Sequence, residues 1–132
     1  MNIKTFFSIV VVLLMSSCKT SKQTTNAPAL PEMNSKSEIT VRTESVKLVE
    51  PTDKTMYRYY VIIGSFRNIS GARQYSADMY QKGFSTEILE NENELYRISV
   101  GGYDDENVAR SRISGIRAAY KEHEDVWLLV RK

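Results

Sequence analysis

"YYVIIGSFRNISGA" (Tyr59–Ala72) returns 37 residues later as "YRISVGGYDDENVA" (Tyr96–Ala109). The two copies share one frame: Tyr59 matches Tyr96, Val61 matches Ile98, Ile63 matches Val100, Gly64 matches Gly101, Phe66 matches Tyr103 and Ala72 matches Ala109. Each is an apolar alternation, then glycine, any residue and an aromatic, then alanine six residues further on. An internal repeat restricts architecture more tightly than residue propensity does. Two copies are too few to stack as a solenoid. They fit one domain with pseudo-two-fold symmetry.

Working outward, "YYVIIG" has the β-branched and aromatic content of a strand. After "SFRNIS", Ala72, Tyr75 and Met79 fall at helical spacing until Gly83, which reads as a stop. "FSTEILE" (84–90) alternates as a second strand, "ENEN" is a polar turn, and "LYRISVG" is a third strand. Asp104 and Asp105 are acids placed for a helix start, and Val108, Ala109, Ile113, Ile116 and Tyr120 form one stripe of that helix. "DVWLLVRK" is the fourth strand. The order βαββαβ predicts an α+β, ferredoxin-like domain over residues 57–132, with two helices on one face of a four-stranded antiparallel sheet. Gly64 and Gly101 would relax the backbone at the two strand-to-helix turns. Phe66 and Tyr103 would plug the layer between helix and sheet, and Ala72 and Ala109 would let the helices approach. The other sheet face is expected to be bare.

The N-terminal residues read differently. Lys4, an apolar run of 10 residues from Phe6 to Met15, and the small residues Ser16 and Ser17 before Cys18 have the order of a secretory signal, too short to span a bilayer. Cys18 is the only cysteine, so no intramolecular disulfide can form, and an unpaired thiol in an exported protein needs an explanation. "LLMSSC" resembles the bacterial lipobox, with Met15 where leucine is usual. That resemblance implies a signal peptide over 1–17 and acylation of Cys18, which would hold the chain to a membrane without a spanning helix. An ordinary cleaved signal with an incidental cysteine is the plainer alternative.

Residues 18–56 then read as the lipidated cysteine and a flexible tether. "TSKQTTNAPALPEMNSKSE" is too polar to offset the entropy of ordering it. From Lys19 to Met56 a flexible chain would span roughly 35 Å r.m.s. and about 130 Å when stretched. Within it "EITVRTESVKLVE" (38–50) alternates apolar and polar residues, and either adds a strand or stays unfolded.

Four of these motifs carry a resemblance. "YYVIIGSF", the Gly83–Phe84 pair, "LYRISVGGY" and "VWLLV" are similar to the sporulation-related repeat (SPOR) domain of bacterial cell-envelope proteins, over residues 57–132. The resemblance implies a non-catalytic module that binds peptidoglycan, in particular glycan strands stripped of their stem peptides at division septa. With the lipobox it implies an outer-membrane lipoprotein facing the periplasm and concentrated at the septum, with envelope or division proteins as further partners.

Strand alternation sorts candidate contacts on its own. If Val61, Ile63, Ile98, Val100, Val126, Leu128 and Val130 face the helices, then Tyr60, Ile62, Arg97, Ser99, Trp127 and Leu129 face outward. Aromatic faces pack against the C–H side of pyranose rings, and Arg97, Ser99 and Ser65 can hydrogen-bond hydroxyl, acetamido and carboxylate groups. The resemblance puts Ser65, Arg97 and Trp127 where SPOR domains make sheet-face contacts, and Ile62 where glutamine is common. Each has a plainer reading: Trp127 covering the sheet against the tether, Arg97 a solvated or paired charge, Tyr60 and Ile62 packing only, Ser65 a turn cap.

Other function classes fare worse. Catalysis wants paired groups of shifted pKa or an activated nucleophile, and the only histidine, His123 in "KEHEDV", reads as part of a solvated turn. It lacks the partner ligands of a metal site, "DDE" (104–106) lacks the spacing of a calcium loop, and no phosphate-binding glycine motif occurs. No cofactor or metal is expected. RNA-recognition modules share the topology, but their signature aromatic and basic positions are missing. Over 57–132 acidic and basic side chains are equal in number, so nucleic acid is not an expected partner. The remaining rival is a structural lipoprotein whose bare sheet face docks a protein.

Overall fold

A computed structural model describes residues 38–50 and 52–132. The segments read as signal peptide (1–17), Cys18 and the polar stretch up to Ser37 lie outside the described residues.

The two repeat copies form the two central strands, β3 (Tyr59–Phe66) and β5 (Tyr96–Tyr103), paired antiparallel. Each is followed by a helix, α1 (Ile69–Gln81) and α2 (Glu106–Ala119). Both helices open on side-chain caps, because their first N–H groups have no partner inside the helix. Asn68 accepts from the Gly71 N–H at 2.7 Å, and Asp105 from the N–H groups of Asn107 and Val108 at 2.8 and 3.2 Å. Helix α1 ends at Gly83, whose φ of +93° is a conformation that favours glycine. The strands β4 (Glu87–Asn91) and β6 (Trp127–Arg131) flank the central pair.

The helices lie on one face and close the main core. Val61, Ile98, Ile113, Leu128, Val126 and the repeat alanines Ala72 and Ala109 are all fully buried there. The glycines of the repeat serve packing rather than backbone freedom, since neither Gly64 nor Gly101 has a positive φ. A Cβ on Gly64 would sit 2.8 Å from the ring of Tyr75, and one on Gly101 would sit 2.7 Å from the Tyr103 hydroxyl. Each glycine leaves room for an aromatic to lie over its strand. Val108 departs from the expected helix stripe and is half exposed, while Ala109, Ile113 and Ile116 carry the contact. His123 sits in a single 3-10 turn (Lys121–His123) and is buried against Phe84 and Tyr120 instead of solvated. Phe84 and Tyr120 supply an apolar niche that the sequence spacing does not reveal.

The sheet has six strands and is mixed, not four and antiparallel. Two further strands, β1 (Val41–Glu44) and β2 (Val46–Leu48), come from the segment left between strand and tether, so the folded unit starts well before residue 57. The order is β1-β6-β3-β5-β4-β2, with β1 parallel to β6 and every other pair antiparallel. β1 and β2 occupy opposite edges, yet only Ser45 separates them. Two residue steps reach about 7 Å, whereas the five strand spacings from β1 to β2 would span about 24 Å in a flat sheet. The sheet is therefore strongly coiled, and one extended stretch, 41–48, serves as the seam joining its two edges. Register shifts in the β3–β5 pair, between Tyr60 and Ile62 and between Ile62 and Gly64, supply the bend.

Candidate functional site

The face away from the helices collects the candidate residues. Ile62 pairs with Ser99 on one side and Trp127 on the other, Tyr60 pairs with Leu129, and Ser65 pairs with Arg97. Simple alternation would turn Ser65 toward the helices with Ile63. The irregularity before Gly64 resets the phase and returns Ser65 to the face of Ile62.

That face is not bare. Tyr60, Ile62, Leu89 and Leu129 form a second buried cluster, closed by Val46 and Leu48 of the seam strand together with Met56 and Trp127. Of the predicted contacts, Tyr60, Ile62, Arg97 and Ser99 are buried, Trp127 is half-buried and Ser65 is exposed. The expectation of an open sheet surface fails because coiling makes the face concave and the stretch 41–48 crosses it.

Arg97 has a specific partner. Its Nε and Nη2 donate to Oε2 and Oε1 of Glu44 at 3.0 and 2.7 Å, a two-pronged pairing of guanidinium and carboxylate. Asn91 adds a third donor from Nδ2 to Glu44 Oε2 at 3.1 Å. Only 6 % of Arg97 and 8 % of Glu44 remain exposed, so the pair is shielded from water. Two guanidinium groups approach the Trp127 ring, Arg42 at 5.5 Å and Arg97 at 5.4 Å from its centroid, both within cation–π range. The Ser99 hydroxyl is taken up by its own strand, donating to the Gly101 carbonyl and accepting from the Gly101 N–H.

Glu44, Arg42 and Asn91 were missed by reasoning from the sequence. One signal was present: in "VRTESVKL" Glu44 falls in phase with Val46 and Leu48, so a strand burying those side chains buries a carboxylate as well. A buried carboxylate needs a cation.

Tyr60 anchors the inner end of the cluster. Its hydroxyl oxygen accepts from the Tyr57 N–H at 2.9 Å, and the two rings meet edge to face. Burial pushes the Tyr60 phenol above its ordinary value of 10.0, opposed in part by that hydrogen bond, and burial also raises Tyr75. A raised phenol pKa means the folded state favours the neutral form. The associated stability is complete below pH 10.0 and lost as pH rises through the raised value. Unfolding monitored between pH 9 and 12 should therefore show an alkaline decline. Tyr60→Phe should make that decline shallower; an unchanged profile would mean that Tyr60 is open to water.

Among the described residues no group of three or more His, Cys, Asp or Glu side chains is placed to hold a metal, and no helix is long and apolar enough to cross a membrane. What the arrangement offers is recognition: a concave face with a buried cation at its centre and an indole at its rim. Residues 55–124 match a family model described as the SPOR domain, a span that leaves out the seam strand and β6. Neither the curated proteins nor the solved structures give a match.

Proposed function

Because the chain belongs to the SPOR domain family, whose members bind peptidoglycan and are linked to cell division, we propose that it is a non-catalytic envelope lipoprotein recognising glycan strands stripped of stem peptides. Binding domains of this family suggest a cell-envelope or septal location. In this proposal Cys18 carries the lipid, residues 19 to 37 lead from an outer membrane toward the wall, and the coiled sheet meets the glycan. Held at both ends, the protein would gather where stripped strands accumulate.

The observation that carries the reading is the shared face. Tyr60, Ile62, Ser65, Arg97, Ser99 and Trp127, drawn from three different strands, lie on one surface. Within that set Arg97 and Trp127 are the proposed principal contacts, Ser65 a rim contact, and Tyr60 and Ile62 the apolar floor. Ser99 acts indirectly, by fixing the bend of β5 at Gly101.

The test is retention on isolated sacculi, comparing walls treated with an amidase that removes stem peptides against untreated walls. Stronger retention on treated walls is expected. Equal retention would remove the stripped-strand preference, and binding that survives complete glycan digestion would point to a protein docked on this face. For the anchor, Cys18→Ser should move the protein from the membrane pellet to the soluble fraction or leave an unprocessed precursor. Unchanged fractionation and gel mobility would rule out the lipid.

A further inference from the structure

The glycan reading leaves one feature unexplained: the face it needs is already filled by the chain itself. The filling is chemically particular. A guanidinium at the centre of the concave face holds a carboxylate through two hydrogen bonds, with a third from Asn91. A muramyl residue bears its stem peptide in amide linkage on a lactyl group. Hydrolysis of that amide leaves a carboxylate, so a stripped strand presents one anion per disaccharide where an intact strand presents a neutral amide. A fixed guanidinium fork distinguishes those two groups.

We infer that the strand Val41–Leu48 is an intramolecular plug, with the Glu44 carboxylate occupying on Arg97 the seat that the lactyl carboxylate of a stripped glycan strand takes. The inference rests on the proposed glycan recognition and adds both its anionic determinant and its regulation. Three further observations support it. The plug lies outside the matched family span, which begins at residue 55. Its ladders are short, four positions on β6 and three on β4, and both lie at sheet edges, so the strand can leave without breaking the pairing of the other four strands. Its Arg42 covers one side of the Trp127 ring, so withdrawal of the strand frees the guanidinium seat and the indole together. A buried charge pair whose partners can each find another ion is poised for exchange: Glu44 gains water as Arg97 gains the ligand carboxylate.

The pairing of Thr43 with Val130 allows a direct test. In the chain from residue 18 onward carrying Cys18→Ser, the double substitution Thr43→Cys, Val130→Cys locks β1 to β6 when oxidised and releases it when reduced. Retention on amidase-treated sacculi should fall at least tenfold on oxidation and recover on reduction. In the unlocked chain, Glu44→Gln keeps the side-chain shape and removes the charge, and should raise retention severalfold. Amide exchange at 41–48 should quicken when soluble amidase-treated strands are added. Equal retention of locked and unlocked forms, with Glu44→Gln unchanged, overturns the plug while leaving glycan binding in place. No retention by any folded form, checked by circular dichroism, overturns the glycan reading and the plug with it.

Discussion

Trp127→Ala is expected to lower retention on amidase-treated sacculi by about tenfold or more while leaving the fold intact. A tryptophan that acts as an anchor of a recognition surface contributes about 2 kcal/mol when truncated, and every 1.4 kcal/mol is roughly tenfold in affinity. The indole is half-buried, beside Ile62 on the neighbouring strand and within cation–π range of the guanidinium groups of Arg42 and Arg97. Its loss from the edge of the second cluster should cost about 1–2 kcal/mol of stability, less than a central core residue would. Because Trp127 also steadies the seam strand through Arg42, the comparison is best made in the Glu44→Gln background, where that strand is loosened in both proteins. Equal retention with and without the indole would remove Trp127 from the recognition surface.

Ile98→Ala should produce the largest loss of stability, about 3–5 kcal/mol in urea unfolding, at an unchanged slope. Ile98 is fully buried in the central strand β5, paired with Gly64 on one side and Ile88 on the other, and faces the helices. Gly64 contributes no side chain, and the Tyr75 ring already fills the space above it. Nothing nearby can move in to fill the void. Small domains have totals of order 5–10 kcal/mol, so the variant would keep only a fraction of its stability. By contrast Val108→Ala, at a half-exposed position, should change stability by less than about 0.5 kcal/mol. A cost under 1 kcal/mol for Ile98→Ala would mean that the layer between helices and sheet is not closed.

The core of the fold was legible because its signals are local. Two copies of one strand-to-helix motif, with acids at the second helix start and a stop at Gly83, fix the βαββαβ order within short windows of chain. The grouping of Tyr60, Ile62, Arg97, Ser99 and Trp127 on one face likewise follows from alternation. What alternation cannot give is a partner far along the chain. Val41 pairs with Leu128 and Glu44 with Arg131, and no spacing within 38–50 points to either. The same limit hid the occupation of Arg97, whose partner lies 53 residues away. The phase reset before Gly64 and the burial of His123 were illegible for a related reason, since each depends on three-dimensional neighbours rather than on periodicity.

The seam strand also sets an order in time. β1 is the earliest strand described, but its ladder partner β6 is the latest, so the contact between them encloses nearly the whole folded unit. Closing so long a loop before the intervening elements form carries an entropic penalty that four ladder positions do not offset. The first strand therefore waits for the last. The Arg97 end of the concave surface is sealed by Glu44 only once β6 has docked, in the finished molecule.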